Sequence, residues 1–249
     1  MPRRRDRLLR VAAALLLSCG PGCSSVKTQT AVVGHHRVRF VLPQGWEHLD
    51  HGRQQLFRLG EAQVSLVDLG PATRDAMVRE LEAADSLWRS GRRRDAFQRV
   101  RELRSPALRF APSLQRADFW KPWTDVTYIP EAADSFAIGT AFEALIAGTA
   151  VFAPVTTDRV LEYVLVLTTE TQRREIGHRD RRKIHGSEWI DVETWNRVSH
   201  LDRSRVAFAV DDGYLLVLAI DHGRSEQAAP GFEALLTSLE LGAGAPPTR

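Results

Sequence analysis

Asp211-Asp212-Gly213 stands between two apolar runs, Arg205–Val210 and Tyr214–Ile220. Asp-Gly supplies the positive φ angles of a tight two-residue turn, whose twist suits two antiparallel strands. Any fold for this chain must therefore contain that hairpin and a sheet built out from it. His36-Arg-Val-Arg-Phe-Val-Leu42 alternates, with Val38, Phe40 and Leu42 on one side and Arg37 and Arg39 on the other, so it reads as a half-buried strand that Pro43-Gln-Gly-Trp46 ends. Gln55–Leu59 and Gln63–Leu69 read as two more strands around Gly60. Arg159–Thr168 and Glu188–Val198 complete the expected strands.

Helical spacing appears between these runs. Thr73 is a suitable N-cap for a helix to about Arg89, with Met77, Leu81, Ala84 and Trp88 on one face and Gly91 at its end. A second helix is predicted from Arg92 to Arg104, carrying Phe97, Val100 and Leu103, with Ser105-Pro106 stopping it. Residues 105–125 read as irregular and aromatic-rich. Two more helices are expected at Ser135–Ala147 and Glu226–Leu239, the latter burying Phe232, Leu235, Leu236 and Leu239. The predicted class is α/β in the α+β sense: a mainly antiparallel sheet flanked by helices, with a helical-hairpin insertion at about 71–125.

The first eighteen residues form a separate unit. Arg3, Arg4, Arg5, Arg7 and Arg10 precede the apolar run Val11–Leu17, which is far shorter than the roughly 20 residues a bilayer span needs. That pattern is an export leader. Leu16-Leu17-Ser18-Cys19 resembles the lipobox of bacterial lipoproteins, in which the leader is cut before the cysteine and the cysteine is lipidated. The resemblance implies lipidation at Cys19, with Leu17 larger than the small residue usual at its position; Cys23 fits less well because Gly20 stands where the apolar residue belongs. The expected organisation is a signal peptide at 1–18, a tether at 19–30, one domain at 31–241 and a flexible tail at 242–249. Gly20 is not the aspartate associated with inner-membrane retention, which favours the outer membrane in a two-membrane cell.

The leader also accounts for the basic charge. Of 34 basic and 31 acidic residues, it holds five arginines against the single acid Asp6, so the formal charge of +3 becomes slightly negative without it. The charge is then no argument for nucleic acid as a partner. Both cysteines lie at the leader junction, so the domain body has no disulfide, no thiolate metal site and no cysteine nucleophile.

Two strings carry a family resemblance. Phe40-Val-Leu-Pro-Gln-Gly-Trp46 resembles the F-x-x-P-x-G-W start of the Mog1/PsbP-like superfamily. Gly186-Ser-Glu-Trp189, the strand Tyr214–Leu218 and the helix Phe232–Leu241 resemble its C-terminal half. The resemblance implies an antiparallel sheet flanked by helices and an accessory or assembly role, and it implies no catalytic residues. The segment from about Pro71 to Asp125 departs from the family. Within it, Leu87-Trp-Arg-Ser-Gly91 with Ala96, Phe97 and Val100 resembles a single tetratricopeptide-type hairpin, a unit that must dock elsewhere to bury its apolar face.

Candidate chemistry is sparse. No G-x-S-x-G, S-x-x-K or phosphate-binding glycine loop occurs, which weighs against an enzyme without excluding a triad assembled from distant residues. His48-Leu-Asp-His51 offers two imidazoles and a carboxylate in an expected loop, but solvated histidines are the simpler reading, and neither a metal nor another cofactor is expected. His35 and His36 are expected to point to opposite faces. Arg92, Arg93 and Arg94 begin a basic stripe that suits an acidic partner, anionic head groups or plain solvation. Phe119-Trp120-Lys-Pro-Trp123 is the other candidate: aromatics beside arginines form either a protein-binding patch or a plug in the core. The residues proposed for partner contact are Arg93, Arg94, Phe119, Trp120 and Trp123. The expected role is that of a lipid-anchored envelope protein binding a protein partner without catalysis, with a carrier of a small or lipidic ligand as the alternative.

Overall fold

The computed structural model describes residues 27–110, 114, 116–124, 130–150, 158–159, 161–162, 165–166, 174–198, 203–220 and 225–243. The leader, Cys19, Cys23 and Tyr128 lie outside these residues.

The chain forms antiparallel sheets flanked by helices. Strands β1 (Thr28–Val33), β2 (His36–Val41), β3 (Glu47–His51), β4 (Gln54–Leu59) and β5 (Ala62–Pro71) lead into helices α1 (Arg74–Arg89), α2 (Arg93–Phe110), α3 (Ala117–Thr124) and α4 (Ser135–Ala150). Strands β6 (Arg174–Ile184), β7 (Ser187–Asn196), β8 (Arg203–Asp211) and β9 (Tyr214–Ile220) follow, then α5 (Ser225–Ser238) and β10 (Glu240–Ala243). Seven strands make one sheet in the order β3-β4-β5-β9-β8-β7-β6, and β1-β2-β10 make a small second sheet.

The Asp-Gly hairpin forms as its residues require. Asp211 pairs with Tyr214 across a two-residue turn in which Asp212 and Gly213 have φ of 45° and 85°. Gly213 also sets the start of α1: its carbonyl accepts the N–H groups of Ala72 and Thr73, and Thr73 Oγ1 caps the helix by accepting from Ala76 N at 3.4 Å.

Both faces of the large sheet are covered. On one, Ile190, Val192, Phe208 and Leu215 meet Met77, Leu81, Phe97 and Val100 of the α1–α2 hairpin, together with Trp120, Trp123 and Phe142. The tetratricopeptide-like hairpin thus buries its face on its own sheet. On the other, Leu66, Trp189, Leu216 and Leu218 meet Phe232, Leu235 and Leu236 of α5 and Val33, Val38 and Phe40 of the small sheet. The Phe40–Trp46 string has a clear role there. Gly45 turns the chain at φ 81°, and the Trp46 ring lies so close to α5 that a Cβ on Gly231 would stand 2.0 Å from it. Arg182, Asp191 and Arg205 of the sheet interlock with Glu233 of α5, and Arg182 Nη2 reaches Glu233 Oε1 at 2.5 Å.

Several expectations are corrected. The expected tether overlaps β1, which begins at Thr28, and the expected tail overlaps β10, because Glu240–Ala243 pair with β2. His48–His51 lie in β3 rather than a loop. Helix α2 runs through Pro106, whose buried ring rests against Gly70 of β5; that packing offsets the missing N–H. Part of the supposed irregular segment is α3. In the supposed strand Arg159–Thr168, the described residues 159, 161–162 and 165–166 are helical, and Leu161 and Leu165 pack into the helical core, so apolar richness there marks burial rather than extension. The long edge strand β6 had no expected counterpart.

Candidate functional site

The β1–β2 turn is two residues long, Gly34-His35, with Val33 paired to His36. Gly34 has φ 58°, the left-handed conformation that glycine adopts without penalty at the first position of such a turn. The turn pushes His35 out of the small sheet toward β5 and α1. Asp68 of β5 receives it: Oδ2 accepts the His35 backbone N–H at 3.1 Å and lies 3.3 Å from ring Nδ1, while Oδ1 accepts Gly70 N–H at 2.6 Å. Glu80 of α1 takes the other ring nitrogen, with Nε2 2.8 Å from Oε1. The same Oε1 accepts the Tyr214 hydroxyl at 2.7 Å, and Oε2 accepts Arg99 Nε at 2.8 Å. Tyr214 also stacks on the His35 ring, centroids 4.1 Å apart.

One imidazole thus ties the small sheet, the large sheet and the helical hairpin together. Its side chain is 26% exposed, whereas those of Asp68 and Glu80 are buried. Burial alone would lower the His35 pKa, but hydrogen bonds to Asp68 and Glu80 and their charges outweigh it and raise the value to about 9. Burial would raise that of Glu80; hydrogen bonds from His35, Arg99 and Tyr214 hold it instead at about 2. Burial and the bond to Glu80 push the Tyr214 phenol up. At neutral pH the group is an imidazolium between two carboxylates.

His35 and Glu80 form one wall of a cleft of about 390 Å³, closed by the hairpin side chains Arg92, Asp95, Gln98, Arg99 and Glu102 and by Arg53 from the β3–β4 turn. Ion pairs line it: Arg53 with Glu102 at 3.2 Å, Arg99 with Glu80 at 2.8 Å and, locally at the start of α2, Arg92 with Asp95 at 2.6 Å. Val32, Pro71, Leu87 and Leu103 supply apolar lining beneath these charged side chains.

The residues expected to contact a partner divide. Trp120 and Trp123 are core residues: Trp120 donates Nε1–H to Leu114 O at 2.6 Å, and the Trp123 ring sits 4.5 Å from that of Phe142 and 5.0 Å from that of Phe97. Helix α3 turns both indoles inward, so neither belongs to a contact surface. Phe119 is half-buried beside them. Arg93 and Arg94 stay at the surface. Arg93 lies over the Trp88 ring at 4.6 Å and bonds Ser135 Oγ, and Arg94 pairs with Glu131. Phe136, next to Ser135, is 82% exposed. His48 turns inward between Gln29 and Gln55, with Nδ1 3.0 Å and Nε2 2.6 Å from their amide oxygens. His35 and His36 meet different carboxylates, His36 Nδ1 lying 3.3 Å from Asp211, but both rings pack against Tyr214, stacked at 4.1 Å and edge-on at 5.9 Å. Among the described residues no three His, Cys, Asp or Glu side chains are placed to hold a metal ion together. The sequence signal that could have found the site is Gly34 before a polar residue at a strand end; nothing local points to Asp68 or Glu80.

No protein-family model matches the sequence, and no curated protein matches it. Among solved structures, the solution structure of cyanobacterial PsbP (CyanoP) from Synechocystis sp. PCC 6803 is similar, with 12% sequence identity over 92% of this chain and 99% of that one, at a TM-score of 0.36. It is a member of the group that the opening and closing strings resemble.

Proposed function

We propose that this chain is a membrane-anchored envelope lipoprotein with a non-enzymatic role, held through a lipid at Cys19 and binding a protein partner at the cleft between the β1–β2 turn and the α1–α2 hairpin. The observation that carries the binding role is the state of the groups in that cleft. Both ring nitrogens of His35 face carboxylates, and both Glu80 oxygens are taken. An imidazolium without a lone pair is no general base, and a saturated carboxylate is no nucleophile. The cluster therefore supports a shaped, charged surface for recognition. The charged side chains Arg53, Glu80, Arg92, Asp95, Arg99 and Glu102 around the cleft favour a polar partner over a lipidic cargo.

Site-specific photo-cross-linking in the native host tests the reading. A photoreactive residue at Gln98, on the cleft, is expected to capture one specific envelope protein, whereas the same residue at exposed Thr237 on α5 is not. Capture at both positions or at neither would reject the cleft as the partner site. Replacing Cys19 with serine tests the anchor: the protein is expected to leave the detergent-extracted membrane fraction, and retention there would reject lipidation at that position.

A further inference from the structure

The inward-facing acids of the cleft are spent. Glu80 accepts from Tyr214 and Arg99 and faces His35, and Asp68 accepts from Gly70 and His35. The arginines are not spent. Arg99 gives Nε to Glu80, and Arg53 gives Nη1 to Glu102; among the described residues no other hydrogen bond of either guanidinium is found. A guanidinium carries five N–H donors in a planar fork. Two such forks therefore border the same cleft of about 390 Å³ with most of their donors unpaired among the described residues.

We propose that this cleft binds a carboxylate group, gripped by Arg53 and Arg99. A planar carboxylate matches the guanidinium fork, accepting two parallel hydrogen bonds. Asp95 and Glu102, paired with Arg92 and Arg53, keep the rim near charge balance, which suits the single charge of one carboxylate group. The assignment deepens the partner-binding reading and rests on it. The carboxylate comes either from an acidic segment of the partner or from a free small acid, and these share one chemistry.

The test uses the full chain in detergent micelles with ¹⁵N-labelled arginine. The probes are succinate, the acetylated peptide amide Ala-Glu-Ala-Glu-Ala, and its glutamine counterpart. The expected result is a saturable shift of the Arg53 and Arg99 side-chain resonances with succinate or the glutamate peptide, and none with the glutamine peptide. Arg53→Gln is expected to weaken binding by about tenfold or more. Its thermal midpoint should barely move, because its ion pair with Glu102 is exposed. Arg99→Lys gives the second variant, keeping a cation for Glu80 while losing the fork. Tighter binding of the peptide assigns the carboxylate to a partner segment, and tighter binding of succinate assigns it to a small acid. Equal binding of the glutamine peptide, or affinity unchanged in both variants, overturns the proposal. If cross-linking from Gln98 still captures a protein in that case, the partner reading stands and only the carboxylate assignment falls.

Discussion

Gly34 and Asp68 meet only because one of them has no side chain: a Cβ on Gly34 would stand 1.9 Å from Asp68 Oδ2. The glycine serves the turn through its φ of 58° and serves the site by letting the carboxylate reach the His35 backbone and ring. Gly34→Ala combines left-handed strain of about 1–2 kcal/mol with this clash. We expect a total loss of roughly 2–4 kcal/mol in denaturant unfolding and a fall of the His35 pKa toward its ordinary value in a ring-proton NMR titration. A stable variant with an unmoved titration would mean that the turn can shift without opening the clamp.

The clamp gives stability a two-sided pH profile. His35 has a folded pKa near 9 against 6.5 ordinarily, so its contribution is complete below about 6.5 and lost as pH rises through 9. Glu80 has a folded value near 2 against 4.5, so its contribution is complete above about 4.5 and lost as pH falls through 2. Between pH 5.5 and 9.5 the protein is expected to lose on the order of 1–3 kcal/mol through His35. The alkaline limb should flatten in His35→Gln when thermal midpoints are compared. An equally steep limb in that variant would place the titration elsewhere.

Trp123→Ala removes a fully buried indole packed between the rings of Phe97 and Phe142. The expected cost is about 3–5 kcal/mol, read as a lowered denaturation midpoint with broadened methyl resonances of Ile138 and Leu145. Native-like stability would return this residue to the list of candidate contact residues.

Asp191→Asn tests the network that holds α5. Asp191 is the buried acid between Arg182 and Arg205, both of which also reach Glu233. Because Arg182 and Arg205 are partly exposed and keep Glu233, the expected cost is about 1–3 kcal/mol. Hydrogen exchange is expected to quicken in α5 before it does in α1. Uniform quickening would show that the network stabilises the whole sheet rather than one helix.

Local chemistry made part of this legible in the sequence. The Asp212-Gly213 turn, the Thr73 cap and the spacing of Met77, Leu81, Ala84 and Trp88 each act within a few residues, and each is found in the structure. What was not legible depends on distant partners. Pro106 reads as a helix stop because the glycine its ring packs against lies in β5. Strand β6 shows no apolar alternation because, as a sheet edge, it carries charge outward along most of its length. Trp120 and Trp123 read equally well as surface or core until the sheet beneath them is present. The sequence reads His35 only as a strand neighbour of His36 facing the other way, because the carboxylates it meets come from positions 33 and 45 residues away.

The small sheet has a mechanical consequence. Both β1 and β10 run antiparallel to β2, so they run parallel to each other and flank it. The chain enters β1 at Thr28, opposite Val41, and reaches the cleft at the other end, where Val32, Gly34 and His35 line it. For a chain anchored at Cys19 and gripped at that cleft, tension runs along the length of β1. The rungs of its ladder with β2 then share the load in shear, instead of parting one after another as in an unzipping hairpin.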